Sequence, residues 1–369
     1  MKNSLIYLLI AFLFLSGCFP FKAIFLGGPD MKDAQRMNKN TVKALTDAKP
    51  LSKSNNYNEQ DILVNDWTSR VPVFKPLRQM LEGKNTRAAV ILHKGQIVYE
   101  DYFEGETISS THTSFSVAKS FTSVLCGIAI DEGFIKSVEE PVTNYLPELV
   151  EIDGQFRKVK IKHLLNQTSG IAPSTKSLAN MYYGKDLWKG IKMSKFEAEP
   201  GTVQNYINVT VQLLGMIIEK ATATPLHIYL QNKIWQPLEM ENDAFWNADG
   251  KGKTQGYCCL NATARDYAKF GLLMLNKGNW QGKQIVSETW VNKTLSRNTD
   301  EGSSYNYNYL WHIGLKEYGD FMADGLFKQY IYVCPKKDLV IAVFNNKEGY
   351  LEAERTMWRN VFRQIADQF

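Results

Sequence analysis

Two stretches, AAVILHKGQIVYEDYF (88–103) and FKQYIYVCPKKDLVIAVFNN (327–346), decide the fold. The first is an apolar run, a Lys-Gly turn and an alternating run, the pattern of a β-hairpin. The second repeats the design, with CPKKD as its turn and LVIAVF apolar enough for a central strand. Outside this pair lie two amphipathic helices. VFKPLRQMLEGK precedes the first hairpin. LEAERTMWRNVFRQIADQ follows the second and places Ala353, Met357, Trp358, Val361, Phe362 and Ile365 on one face. Between the hairpins, residues 107–295 read as mainly helical. TVQLLGMIIEKATA and ATARDYAKFGLLMLNKG carry apolar residues at three- and four-residue spacing. The expected class is α+β. Early and late strands join in one antiparallel sheet flanked by the terminal helices, with a large helical subdomain inserted between them. A cleft is expected at the junction.

The chain has 369 residues, 44% of them hydrophobic and 22% charged, with a formal net charge of +5. That is ample for a sizeable core. No basic cluster carries interleaved aromatics and no zinc-finger spacing occurs, so nucleic acid is not an expected partner. At the N-terminus Lys2 precedes LIYLLIAFLFL, which ends in Leu15-Ser16-Gly17-Cys18. A positive residue, an apolar core too short to span a bilayer and small residues before a cysteine form an export signal over 1–17. Residues 18–65 read as an irregular tether with one short helix around 31–44, and residues 66–369 as the folded domain. Cys126, Cys258, Cys259 and Cys334 remain; export permits disulfides, and the sequence leaves all three full pairings open. Cys126, in an apolar helix, and Cys334, at a strand end, have the surroundings of buried thiols. No His stands at ligand spacing from Cys258-Cys259, so no metal is expected.

The chemistry is sought in SFSVAKSFTSVLCGIAIDEG (114–133), an apolar helix closed by Gly133 that carries Lys119 in its first turn. Ser116 and Lys119, at i and i+3, share a helix face. Serine needs a base, and a lysine desolvated among apolar neighbours loses affinity for its proton and serves as one. Ser-x-x-Lys alone arises by chance about once in a chain this long. A second element, Tyr206-Ile207-Asn208 before a helix, supplies a proton carrier and an amide.

SVAK (116–119) followed by YIN (206–208) resembles the serine β-lactamase and penicillin-binding superfamily. The tyrosine is similar to the class C β-lactamase-like branch, with its esterases and 6-aminohexanoate-dimer hydrolases. VKIKHLLNQTSGI (159–171), EPGTVQNYINVTVQLLG (199–215), LNATARDYAKFGLLMLNKGNWQGKQIV (260–286) and YNYLWHIG (307–314) resemble segments of that branch in the same order. The LSGC ending resembles a bacterial lipobox, which implies cleavage before Cys18, lipidation of its thiol and a membrane anchor. Phe19 implies the outer membrane if the cell is Gram-negative.

The resemblance implies Ser116 as acylated nucleophile, Lys119 as its proton partner and Tyr206 as the acid/base for the leaving group and the deacylating water. Asn208 is implied to orient Lys119 and the substrate. Apart from the resemblance, the aromatic Trp311 is a candidate for contact with substrate in the pocket wall. Ala323-Asp324-Gly325 takes the place of Lys-Thr-Gly, with Leu326 offering an oxyanion N–H beside that of Ser116. No cofactor is implied. Ala323 cannot supply the charge that helps hold the carboxylate of a β-lactam or D-Ala peptide. The expected activity is therefore serine hydrolysis of a small ester or amide. A D,D-peptidase or β-lactamase, and a non-catalytic binding lipoprotein on the same fold, are the alternatives. Asp324 reads as a solvated turn aspartate and His163 as structural. His112 and His312 match no role, and Tyr182 and Tyr183 are candidates for the pocket wall.

Overall fold

The computed structural model describes residues 28–55, 62–65, 72–346 and 352–369. The export signal and Cys18 lie outside the described residues. Both hairpins form, as Thr86–His93 with Gln96–Tyr102 and Gln329–Cys334 with Leu339–Asn345. They join through the pairing of Leu339–Asn345 with Thr86–His93 in a seven-stranded antiparallel sheet. Its order is Tyr307–Asn308, Trp311–Ile313, Phe321–Gly325, Gln329–Cys334, Leu339–Asn345, Thr86–His93, Gln96–Tyr102.

The two-residue side-chain period of a strand divides this sheet between two cores. Ala89, Ile91, Tyr330, Tyr332, Ile341 and Val343 pack under the helices Leu77–Gly83 and Glu352–Ala366. Ala88, Val90, Leu92, Ile331, Val333, Val340 and Ala342 face the opposite core, where the helices Ala118–Asp131, Asn208–Thr222 and Ala264–Leu275 lie. The last helix buries Trp358, Val361, Phe362 and Ile365 and partly covers Met357, while Ala353 stays exposed.

Two expectations need correction. The short helix expected around 31–44 is confined to Asp33–Arg36, and residues 38–42 form an edge strand paired with Ala244–Ala248. That pair continues through Leu260–Ala262 to His112–Thr113, so the inserted region carries a small antiparallel sheet of its own. Strand residues here are recognised through partners distant in sequence, which a local pattern cannot display. Further along the N-terminal segment, Leu51 N–H donates to Glu241 and Ala44 N–H to Asp243, tying it to the domain. Cys258 and Cys259 are bonded to each other, and Cys126 and Cys334 are buried free thiols.

Candidate active site

The chain enters the site through a tight 3-10 turn, Phe115–Val117, which runs directly into the helix Ala118–Asp131. Ser116 therefore stands just before the α-helix, with Phe115 in the left-handed region at φ 43°. A bulky residue holds that backbone only where its surroundings over-determine it. Here the Phe115 ring packs on Phe327 at 4.9 Å and its carbonyl accepts the Cys259 N–H.

Lys119 follows one turn later, 1% exposed. Its Nζ donates to Ser116 Oγ at 2.8 Å and to the Tyr257 carbonyl at 2.8 Å. Burial lowers its pKa to about 7, against an opposing pull from the Asp324 charge. An ammonium in this site is costly, so an appreciable share of the amine is neutral near pH 7. The Lys119 Nζ also stands 5.0 Å from the ring centre of Tyr206.

Tyr206 is set by the segment 166–170. Gln167 Oε1 accepts the Ile207 N–H at 2.9 Å and the Thr210 hydroxyl at 2.8 Å, and the Gln167 carbonyl accepts the Asn205 N–H. The Tyr206 ring is 49% exposed at the cleft mouth and meets Tyr307 edge-on. Crowding of its hydroxyl pushes the phenol pKa well up, Asp324 adds to this, and the Ser116 hydroxyl and Arg355 oppose it. The phenol thus stays protonated where the amine does not.

The strand Phe321–Gly325 closes the opposite side. A Cβ on Gly325 would stand 2.3 Å from the Ser114 carbonyl oxygen and 3.1 Å from the Ser116 nitrogen. Only glycine lets this strand end beside the Ser116 turn, and it brings Leu326 into the cleft wall. The cleft holds about 600 Å³; Ser116, Tyr206, Tyr307, His312, Asp324 and Arg355 are among its walls. A side pocket of about 200 Å³, lined by Ile171, Leu178, Met181, Ile207 and Val209, shares Tyr206 with it.

Several sequence expectations shift here. Asp324 is no solvated turn residue: it lies on a strand with its side chain 5% exposed. Alternation turns it with Met322 toward the last helix, where Arg355 Nε meets its Oδ2 at 2.7 Å, and His312 Nε2 stands 3.4 Å from Oδ1. Burial favours the protonated carboxyl, but His312, Arg355 and Arg359 outweigh it and hold the pKa at about 2. Asn208 makes no hydrogen bond to Lys119; it opens the helix Asn208–Thr222 and borders the side pocket, and the Tyr257 carbonyl holds the amine. Trp311 is fully buried between Phe270 and Phe321, away from the cleft, because the alternation that faces His312 to the cleft sends Trp311 inward.

Tyr182 and Tyr183 are also buried, Tyr182 donating to Asp33 at 3.1 Å. His163 accepts the Lys160 N–H, and His112 stacks on Phe344; burial lowers each imidazole to a pKa of about 4. Sequence reasoning missed the Tyr257 carbonyl, Tyr307 and Arg355. Arg355 and Arg359 do form an i, i+4 basic pair in the last helix, the single local signal that pointed to this wall.

Arg355→Met removes the nearest cation from a buried carboxylate. It should cost about 2 kcal/mol of stability at pH 7, below the range for fully buried pairs because Arg355 is partly exposed and His312 remains. A depressed carboxyl pKa stabilises the fold above the unfolded value and loses that contribution as pH falls toward about 2. The variant's deficit should therefore shrink from pH 7 to pH 3, where its Asp324 has largely taken up a proton and that of the wild type has not. Urea unfolding at both pH values checks this, and an equal deficit at both would contradict the pairing.

A family model described as Beta-lactamase matches residues 77–366. The chain belongs to the Beta-lactamase family. It is 28% identical over 290 residues to the 6-aminohexanoate-dimer hydrolase of Paenarthrobacter ureafaciens, covering 72% of this chain and 74% of that one. A solved structure from Bacillus anthracis, provisionally assigned as a 6-aminohexanoate-dimer hydrolase, superposes with a TM-score of 0.82 at 27% identity, covering 90% of this chain and 91% of that one. A family VIII carboxylesterase shares the fold, with a TM-score of 0.61 at 16% identity over 78% of this chain and 95% of its own. The α+β architecture is that of this family, and the protein is a serine hydrolase.

Proposed function

We propose that the protein hydrolyses a small ester or linear amide through an acyl-enzyme on Ser116. The observation that carries this is the 2.8 Å contact between Ser116 Oγ and a buried Lys119 whose pKa burial lowers to about 7. The neutral amine takes the hydroxyl proton as Oγ attacks the carbonyl. The N–H groups of Ser116 and of Leu326, the residue after Gly325, receive the developing oxyanion. Tyr206, kept protonated, hands its proton to the leaving oxygen or nitrogen and recovers one from Lys119. Water then repeats the sequence on the acyl-serine.

The side pocket, with apolar walls and hydroxyls from Ser174 and Thr175, suits a short uncharged chain on the substrate. Ala323, where the family carries a lysine, removes a cation that would favour β-lactams and D-Ala peptides. The leader and LSGC ending support export, with Cys18 lipidated and the domain held at a membrane.

Intact-mass measurement on detergent-extracted protein tests these readings. Brief exposure to a panel of esters, linear amides and β-lactams should add an acyl mass to the wild type but not to Ser116→Ala, with esters and amides reacting fastest. Lipid on Cys18 appears in the same spectrum. No acyl adduct with any member would overturn the acyl-enzyme, a β-lactam adduct outlasting all others would move the substrate class, and an unmodified Cys18 would remove the anchor.

A further inference from the structure

The Cys258–Cys259 bridge joins neighbouring residues. It closes almost no loop, so it restricts the unfolded chain far less than a bridge between distant residues does. Its place in the site gives it another use. The carbonyl of the preceding residue, Tyr257, accepts the Lys119 hydrogen bond. The Cys259 N–H donates at 3.0 Å to the Phe115 carbonyl, one residue before the nucleophile. Cys259 itself stands at φ 67°, a region that residues with side chains seldom occupy.

Neighbours hold the rest of this turn. The Trp246 indole N–H donates to the Gln255 carbonyl at 3.0 Å and the Cys258 carbonyl at 2.8 Å. The Thr122 hydroxyl donates to the Gly256 carbonyl at 2.6 Å. The Asn247 N–H and the Asn261 amide reach the Cys259 carbonyl at 3.1 and 2.9 Å. From 255 to 259, the Tyr257 carbonyl is the one turned to the amine.

We propose that the Cys258–Cys259 disulfide is a positioning element for Lys119. The small ring couples the backbone torsions of its two residues, which fixes the left-handed Cys259 and with it the direction of the Tyr257 carbonyl. In the ammonium form Nζ donates to both Tyr257 and Ser116. Once neutral, the amine keeps a hydrogen on the Tyr257 carbonyl, and its lone pair is held toward the Ser116 hydroxyl. With two thiols in place of the bridge those torsions turn independently, the carbonyl loses its aim, and the freed lysine reaches cleft water. The inference rests on Lys119 being the base.

The test compares the full-length wild type with Cys258→Ser/Cys259→Ser on an ester that acylates Ser116. The variant should lose about tenfold in kcat at pH 7, with KM within about twofold. The midpoint of its acid limb should rise by about one pH unit as the lysine regains solvent. A merely structural bridge would change thermal unfolding without moving that midpoint. A second arm needs no variant to fold. Dithiothreitol reduces the wild-type bridge, its two thiols closing to a cyclic disulfide as Cys258 and Cys259 take up two electrons and two protons. Protein shown by mass to carry both thiols should show the same loss, and reoxidation should restore the rate. A folded variant or a fully reduced wild type with unchanged kcat and acid limb overturns the proposal. Failure of the underlying reading shows separately, as wild type that forms no Ser116 adduct or keeps its rate in Lys119→Met.

Discussion

Lys119→Met should abolish turnover and yet make the protein more stable at and below pH 7. The kinetic half follows from the 2.8 Å contact with Ser116 Oγ: methionine has similar length but no lone pair on nitrogen to accept the proton. A loss of at least about 10³-fold in kcat/KM is expected, typical of removing a base from a nucleophile pair. The stability half follows from burial. Lys119 titrates near 7 when folded and near 10.5 as a free side chain. Between these values the unfolded chain binds more protons, so wild-type stability rises with pH through that window. At and below pH 7 the fold carries almost the whole penalty, about 4 kcal/mol. The variant removes it and leaves the Tyr257 carbonyl without its donor, a cost of about 1–3 kcal/mol. A net gain of about 2 kcal/mol at pH 6, fading as pH approaches 10, should appear in urea unfolding. The wild-type kcat/KM should fall below about pH 7, tenfold per unit, as the amine takes a proton. A variant that keeps more than about a tenth of the activity, or is less stable at pH 6, removes Lys119 from the role of buried base.

Ser116→Ala should give the largest kinetic loss, about 10⁴-fold or more in kcat/KM, with no measurable change in unfolding midpoint. In the proposed mechanism the hydroxyl forms the bond to the substrate, and Lys119, Tyr206 and the Ser116 and Leu326 N–H groups have nothing to act upon without it. Ser116 is only half-buried and its hydroxyl meets the side chains of Lys119 and Tyr206 at the cleft, so the fold depends little on it. A Ser116→Ala protein that still turns over the ester at a tenth of the wild-type rate would show that another group attacks. The two variants also separate from each other: both lose activity, and Lys119→Met alone shifts the pH dependence of stability.

The chain's own pattern made some of this legible. Alternation in 88–103 and 327–346 separated the two faces of the sheet, and the last helix showed most of its buried face. Ser116, Lys119 and Tyr206 stood out because each motif is local and the surrounding strings occur in order. Asp324, Trp311 and Asn208 were misread for one shared reason. Asp324 was read as a turn residue, Trp311 by residue type and Asn208 by likeness to a motif, whereas their surroundings come from strand register and from elements far along the chain. Asp324 meets Arg355 across 31 residues. Residues 38–42 find their partner strand beyond residue 240.

What the sequence determined by itself is which groups are proposed to react: a hydroxyl, an amine three residues on and a phenol before a helix, on a family scaffold. Only the tertiary structure decided their acidity and aim. Burial at 1% exposure lowers the affinity of Lys119 for its proton, and the amine is held between the Tyr257 carbonyl and Ser116. Both effects depend on how distant segments pack, and a carbonyl's direction has no residue letter to announce it.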